Sequence, residues 1–173
     1  MTTESAQATD PLPYRACVGL MLVNHAGKVF VGQRLDRHRN SGSAGDFWQM
    51  PQGGIDDGED LEAAGLRELW EETGVMAEKV AILARTEQEL CYDLPEALRG
   101  KVLKGYRGQR QHWLLLRFDG EDADIRLDAH KPAEFESWKW VDPDTLPELI
   151  VPFKKDVYRA VLERFGPILQ RLG

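Results

Sequence analysis

"GGIDDGEDLEAAGLRELWEETGV", residues 53–75, carries the strongest pattern in the chain, and its last third crowds like charges together. Glu68, Glu71 and Glu72 are spaced i, i+3 and i+4. At about 100° per residue this spacing places the three carboxylates on one face of a helix. Like charges at these separations destabilise a helix by a few tenths of a kcal/mol per pair, so the crowding needs a reason.

The surrounding residues predict a helix over residues 60–73, ended by Gly74 in a position that favours glycine. A second arc of this helix is expected to pack on a sheet and comprises Leu66, Leu69, Trp70 and Thr73. The acids would then point either to solvent, as an ordinary charged surface, or to a group that neutralises them. Spacing alone leaves both interpretations open.

The composition describes a soluble chain of 173 residues that is 42% hydrophobic and 29% charged. No apolar run approaches the roughly 18 residues of a membrane span, and the start lacks the features of a signal peptide, so we expect a cytoplasmic protein without a membrane partner. The formal charge of −7 argues against a protein that coats nucleic acid, and we expect no DNA partner. We predict a flexible tail over residues 1–12 and one domain over residues 13–173.

Apolar and alternating runs predict strands separated by polar turns, together with a loop at 35–46. Strands that bracket helices predict a mixed α/β sandwich. The last helix is predicted to break near Pro167. The expected strands cover residues 16–23, 28–34, 79–92, 111–118 and 134–141, with short extended structure at 47–55 and the closing helix at 153–172.

Residues upstream of the helix complete the pattern G-x5-E-x7-R-E-U-x-E-E-x-G-U, where U is a bulky aliphatic residue. Its specified positions are Gly53, Glu59, Arg67, Glu68, Leu69, Glu71, Glu72, Gly74 and Val75. This pattern resembles the signature of the Nudix hydrolases. The stretches 48–59, 111–118 and 153–165 resemble the bacterial RNA pyrophosphohydrolases and the related dinucleoside polyphosphate hydrolases within that family. The resemblance implies an α/β fold, a Nudix-type α/β/α sandwich with a mixed β-sheet between helices.

The resemblance also implies hydrolysis of a phosphoanhydride bond with Mg²⁺, with Mn²⁺ or another divalent cation as a substitute. Such hard cations take oxygen ligands and neutralise crowded phosphate oxygens. The implied ligands are the carboxylates of Glu68, Glu71 and Glu72 and the backbone carbonyl of Gly53. Arg67 would orient this cluster, although a simple i to i+4 pair with Glu71 explains its position equally well.

The general base implied by the resemblance is Glu134, in the segment before the strand at 134–141. Glu136 is the competing candidate, because strand alternation places both acids on the same side. Glu68 could itself orient the attacking water.

The substrate contacts implied by the resemblance are cationic or aromatic. Arg34 would contact phosphate, and the basic stretch 99–110 offers further cations for a polyphosphate chain. Phe153 would lie near the base with Lys154, and Tyr92 could stack on it. The cations of the basic stretch are Lys101, Lys104, Arg107 and Arg110.

Two substrates fit this resemblance, the 5′-triphosphate end of RNA and dinucleoside polyphosphates such as diadenosine tetraphosphate. Both present a nucleoside 5′-polyphosphate to the same cations, and the preferred one stays open. A non-catalytic, nucleotide-sensing Nudix domain is the alternative function, although such a domain is expected to lose carboxylates that this helix retains. The oligomeric state is also open.

Overall fold

A computed structural model describes residues 12–35, 47–99 and 103–172 of the chain. Short 3₁₀ turns join several of its elements. The strands are β1 (Tyr14–Val23), β2 (Val29–Arg34), β3 (Trp48–Gln49), β4 (Gln52–Gly54), β5 (Val80–Arg85), β6 (Leu90–Asp93), β7 (Gly108–Phe118) and β8 (Phe135–Val141), and the helices are α1 (Leu61–Thr73), α2 (Leu146–Leu149) and α3 (Lys155–Leu172).

The strands form one mixed, eight-stranded sheet with β1 and β7 at its centre. These two strands run parallel over their whole length, from Tyr14 opposite Gly108 to Val23 opposite Arg117. Every other pairing is antiparallel, with β3-β2-β1-β7-β5 as the main order. The strand β4 adds to β1, β6 adds to β7, and β8 adds to β2. The predicted mixed sheet is confirmed.

Helices cover both faces of this sheet, which explains why β1 is a continuous apolar run. Leu20 and Leu114 lie in the core that α1 closes. Their neighbours Met21 and Leu115 point the other way, into the core that α3 closes. The predicted α/β/α sandwich is therefore confirmed. No helix in the described ranges is long and apolar enough to cross a membrane.

The bounds of α1 agree with the prediction because its ends are capped by local chemistry. The Asp60 side chain accepts a hydrogen bond from the Ala63 backbone N–H at the first turn. Gly74 has φ 75°, and its N–H donates to the Trp70 carbonyl at 2.8 Å. A side chain at Gly74 would be strained by this φ and would also meet the Arg126 carbonyl.

Leu69 and Thr73 are buried, as expected for the apolar arc of α1. The prediction that Trp70 belongs to this buried arc is wrong. Trp70 is 36% exposed, whereas Glu68 and Glu72 are only 9% and 6% exposed. Gly65 lies so close to the sheet that a Cβ there would meet the Leu114 side chain at 2.5 Å. The helix therefore packs through its small residues. This contact turns two of the three glutamates inward and Trp70 outward.

Two further expectations about elements differ from the structure, and two others fall mostly on residues outside the described ranges. The segment 79–92 forms two strands, β5 and β6, separated by a bend. The last helix continues through Pro167 to Leu172, because the residues after the proline still pack on the core. Residues 36–46, most of the predicted loop, and residues 1–11 lie outside the described ranges, so the boundary between tail and domain stays a prediction.

Candidate active site

A pocket lies where α1, β4, the starts of β1 and β7, and the segment leading into β8 meet. The structure thus gathers several predicted site residues, although they come from distant parts of the chain. The predicted site residues in its wall are Arg34, Gly53, Glu68, Glu71, Glu72 and Glu134.

Arg67 holds one side of this pocket together. Its Nε and Nη2 donate to the two carboxylate oxygens of Glu59, both at 2.8 Å, and Nη2 also donates to the Gly54 carbonyl at 2.9 Å. Nη1 donates to Glu68 at 2.9 Å and to Glu71 at 3.3 Å. Arg67 therefore does much more than pair with Glu71 along the helix. Its hydrogen bonds lower the pKa of Glu59 to about 2, so this carboxylate stays ionised.

Glu68 and Glu72 are carboxylates held in an unfavourable environment. Burial, followed by the charge of Glu71, raises the pKa of Glu68 to about 7. Burial also raises the pKa of Glu72 well above its usual range, with smaller contributions from Glu68 and Glu134. One Glu72 oxygen accepts the Gln52 backbone N–H at 3.2 Å. A cation placed among these acids would remove the repulsion and favour their charged forms.

The backbone of Gly53 lies directly against Glu68. A Cβ built on Gly53 would overlap the Glu68 carboxylate, so only glycine permits this approach. A carbonyl and three carboxylates form an all-oxygen donor set, the kind that Mg²⁺ and similar hard cations prefer. Among the described residues, no three His, Cys, Asp or Glu side chains already converge on a metal position. Glu68 and Glu71 instead each accept a hydrogen bond from Arg67.

A bulge in β8 separates the two candidate bases. Arg34 pairs with Phe135 and Gln33 pairs with Ser137, so the register shifts at Glu136. The alternation that was expected to place both acids on one side is thereby interrupted. In the described part of the chain, the pocket wall contains Glu134 and not Glu136, which is exposed on the strand.

Arg34 reaches the same wall from the end of β2. Its Nη2 lies 3.9 Å from the Glu134 carboxylate. Its Nε is buried and has no hydrogen-bond acceptor within the described ranges. A buried donor without a partner is energetically unfavourable.

Comparison with known proteins agrees with this geometry. The model of the NUDIX domain matches residues 13–161. The chain belongs to the NUDIX family. It is 62% identical over 159 residues to an RNA pyrophosphohydrolase of Novosphingobium aromaticivorans, covering 91% of this chain and 96% of the relative. It is 54% identical over 170 residues to an RNA pyrophosphohydrolase of Erythrobacter litoralis, and this match covers 98% of this chain and 100% of the relative.

Solved structures show the same Nudix fold at low sequence identity. The dihydroneopterin triphosphate pyrophosphohydrolase of E. coli has a TM-score of 0.66 at 20% identity, covering 87% of this chain and 96% of that one. The Ap4A hydrolase of C. elegans has a TM-score of 0.61 at 20% identity, and the match covers 90% of this chain and 98% of that one. At this identity the likeness concerns the fold alone.

Several predicted substrate contacts of this Nudix chain lie outside the pocket wall. Arg107 donates to Asp93 at 2.8 Å and covers the Tyr14 ring at 4.8 Å. Lys104 lies in an exposed turn, and Lys101 lies outside the described residues. The structure therefore assigns Arg107 a structural pairing, and its predicted contact with substrate has no geometric support.

Phe153 and Lys154 belong to an aromatic cluster outside the pocket wall, although Lys154 is close enough to interact electrostatically with Glu72. The Phe153 ring centroid lies 5.8 Å from that of Tyr92, and Lys154 Nζ lies 5.4 Å from the Tyr92 centroid. Lys154 is only 8% exposed, and burial lowers its pKa to about 8. Tyr92 is likewise buried, which leaves Phe153 as the more accessible of the two rings. A contact between Phe153 or Lys154 and a base stays a prediction.

The pocket also contains polar residues that sequence reasoning missed. Arg15 lines it from the start of β1, and Gln52 and Gln109 line it from β4 and β7. The alternation of Gln109, Gln111 and Trp113 ahead of an apolar run was the available signal, because polar residues on the inner face of a central strand need partners. Arg15 had no such signal, since a single arginine before a strand is ordinary.

Proposed function

We propose that this chain is a divalent-cation-dependent pyrophosphohydrolase that acts on the 5′-triphosphate end of RNA, releasing pyrophosphate and leaving a 5′-monophosphate. The observation that carries the proposal is the pocket in which Glu68, Glu71, Glu72 and the Gly53 backbone meet Arg34 and Glu134. The choice of RNA rests on the relatives with 54–62% identity, which are RNA pyrophosphohydrolases.

The cation fits the residues that are present. Glu68, Glu71 and Glu72, with the Gly53 carbonyl, would hold Mg²⁺, Mn²⁺ or another divalent cation, because they offer only oxygen donors and a cation would favour the charged forms of the crowded carboxylates. When bound, such an ion neutralises phosphate oxygens and lowers the pKa of a water that it holds.

The remaining roles belong to the side chains of the chain itself. Arg67 positions Glu68 and Glu71 and ties the loop carrying Glu59 to α1. Arg34, which lines the pocket, offers its guanidinium to a phosphate oxygen. Glu134 is the general base. It takes a proton from water as the water oxygen bonds to phosphorus and the bond from phosphorus to the bridging oxygen breaks.

Dinucleoside polyphosphates are the second candidate substrates, because they present the same nucleoside 5′-polyphosphate group to the pocket. The fold shared with an Ap4A hydrolase does not favour them, since that likeness is at 20% identity. A non-catalytic sensing domain is disfavoured by the complete set of acids in the pocket wall.

The test is side-by-side incubation of 5′-triphosphorylated RNA and diadenosine tetraphosphate with the protein and Mg²⁺ at matched concentrations. We expect pyrophosphate release from RNA to be faster than cleavage of diadenosine tetraphosphate. Glu71→Gln should abolish pyrophosphate release. Glu62→Gln, which changes an exposed acid in the first turn of the same helix, is the matched control and should retain activity. Cleavage of neither substrate would refute the proposal, and binding without turnover would indicate a sensing domain.

A further inference from the structure

A chain of side-chain hydrogen bonds runs from the core to the pocket through Gln111. The Trp113 indole N–H donates to Gln111 Oε1 at 3.0 Å. Gln111 Nε2 donates to Gln109 Oε1 at 2.8 Å and also to Gln52 Oε1. Gln109, Gln111 and Trp113 alternate along β7 and therefore share one face of the sheet.

The direction of every bond in this chain follows from the first one. An indole nitrogen can only donate, so the Gln111 atom facing it must be the oxygen. The Gln111 amide nitrogen then faces the other way, and its two hydrogens require two acceptors. Those acceptors are the side-chain oxygens of Gln52 and Gln109. If oxygen and nitrogen were exchanged in the side-chain amide of Gln52 or Gln109, its NH₂ group would face the NH₂ group of Gln111.

The consequence is that the amide nitrogens of Gln52 and Gln109 are left facing the pocket. Both side chains line it, and Gln109 is only 3% exposed, so its amide has little bulk water around it. Within the described ranges, no protein acceptor receives a hydrogen bond from either nitrogen. The side chains of Arg15 and Arg34 line the same pocket and add further donors.

We propose that Trp113 and Gln111 are positioning residues that hold Gln52 and Gln109 as a fixed pair of hydrogen-bond donors for an acceptor oxygen of the substrate. The inference rests on the proposed function and deepens it, because it adds a hydrogen-bonding subsite to the pocket that contains the acids. The acceptor oxygen can belong to the phosphate chain or to the nucleoside. Both sources present the same chemistry to the two amides, and the experiment below separates them.

The direct test needs no substitution. Gln52 and Gln109 side-chain NH₂ resonances are followed in ¹⁵N-labelled wild-type protein during titration with a nucleoside triphosphate whose bridging oxygens are replaced by methylene groups. We expect both resonances to shift. Inorganic tripolyphosphate should reproduce the shifts if the acceptor is a phosphate oxygen, and the unphosphorylated nucleoside should reproduce them if the acceptor belongs to the nucleoside. Unmoved resonances at saturation with all three ligands would overturn the proposal.

Two substitutions test the role of Gln111. Gln111→Glu retains an acceptor for Trp113 but removes the donor, so Gln52 and Gln109 are expected to turn their amide nitrogens toward the new carboxylate and their oxygens toward the pocket. Binding of the methylene analogue should weaken about 10-fold or more. Gln111→Met removes the hydrogen bonds without adding charge and should weaken binding by a smaller factor, about 3-fold to 10-fold.

The readouts separate positioning from folding and from the proposed function. In Gln111→Glu the Gln109 side-chain NH₂ resonance should no longer shift when ligand is added to saturation. Repulsion between the new carboxylate and the ligand would weaken binding, but it would not abolish this shift once the ligand is bound. KM should rise more than kcat falls in Gln111→Met. Wild-type affinity and KM in Gln111→Met would overturn the positioning role even if RNA is cleaved normally. Failure of wild-type protein to cleave RNA, with the resonances still shifting, would instead refute the proposed function alone.

Discussion

The backbone of Gly53 and the carboxylate of Glu68 contact each other so closely that no side chain can be placed at position 53 without displacing the acid. Because the two residues lie on β4 and α1, this contact sets the distance between the strand and the helix at the pocket. We expect Gly53→Ala to push Glu68 out of place and to reduce kcat/KM at least about 100-fold while the protein still folds.

Gly166→Ala is the matched control for this substitution. Gly166 lies in α3, and a Cβ there meets no atom within 4 Å. Alanine should stabilise the helix by ~0.5–1 kcal/mol and leave activity unchanged. Thermal unfolding and steady-state kinetics check both variants, and a Gly53→Ala enzyme of normal activity would contradict the close contact.

The raised pKa of Glu68 predicts how stability depends on pH in the absence of divalent cations. Between pH about 4.5 and about 7 the folded chain holds a proton that the unfolded chain has released. The free energy of unfolding should therefore fall as pH rises through this window, and Glu68 alone should contribute about 3 kcal/mol to this fall. Burial raises the pKa of Glu72 in the same direction, so it adds to the slope.

Urea unfolding with EDTA at several pH values tests this dependence. Glu68→Gln should flatten the slope and be more stable than wild type at pH 8, although it should be inactive. The exposed Glu62→Gln should keep the wild-type slope. Mg²⁺ should stabilise wild type at pH 8 and have little effect on Glu68→Gln. Equal slopes in wild type and Glu68→Gln would show that this buried charge is not unfavourable.

Arg67 makes a set of contacts that lysine cannot reproduce. Its planar guanidinium binds both oxygens of Glu59 and the Gly54 carbonyl while also reaching two acids of α1. We expect Arg67→Lys to lower kcat about 10-fold to 100-fold, because the loop and the acids lose their common support. Arg159→Lys, an exposed arginine on α3 that lies near Asp156, should have wild-type kinetics.

A double substitution shows whether Arg67 and Glu59 act as a unit. Glu59→Gln removes the charge that binds Nε and Nη2 of Arg67. If the two residues form one support, Arg67→Lys combined with Glu59→Gln should be little worse than Arg67→Lys alone. Multiplicative losses in kcat would mean that they act independently.

Glu134 is expected to be the base because the bulge in β8 leaves it in the pocket wall and turns Glu136 away. Glu134→Gln should lower kcat about 100-fold to 10,000-fold with little change in KM or in thermal stability. Glu136→Gln should stay within about 3-fold of wild type. A slow Glu136→Gln enzyme with a normal Glu134→Gln enzyme would reverse the assignment.

Local patterns accounted for most of the fold and for the membership of the acid cluster. The apolar runs of β1 and β7 are long enough to indicate central strands, and Asp60 and Gly74 mark the ends of α1 through hydrogen bonds to nearby backbone groups. Such features depend on residues a few positions apart, so they can be recognised without knowledge of the rest of the chain.

Three features escaped local reasoning, and each depends on contacts between distant segments. The inward rotation of Glu68 and Glu72 follows from the close packing of Gly65 on Leu114. The choice between Glu134 and Glu136 follows from the pairing of β8 with β2. The structural role of Arg107 follows from Asp93 on the neighbouring strand, which a basic stretch read by itself does not reveal.

The sequence by itself determined that Glu68, Glu71 and Glu72 share one side of a capped helix preceded by a loop that begins at Gly53, because helical periodicity and capping act over single turns. Only the tertiary structure decided which way these acids face, that Glu134 joins them from the segment leading into β8, and that Trp113 orients Gln52 and Gln109 through Gln111. Those outcomes depend on sheet register and on the depth of helix packing, and both are set by contacts among residues far apart in the chain.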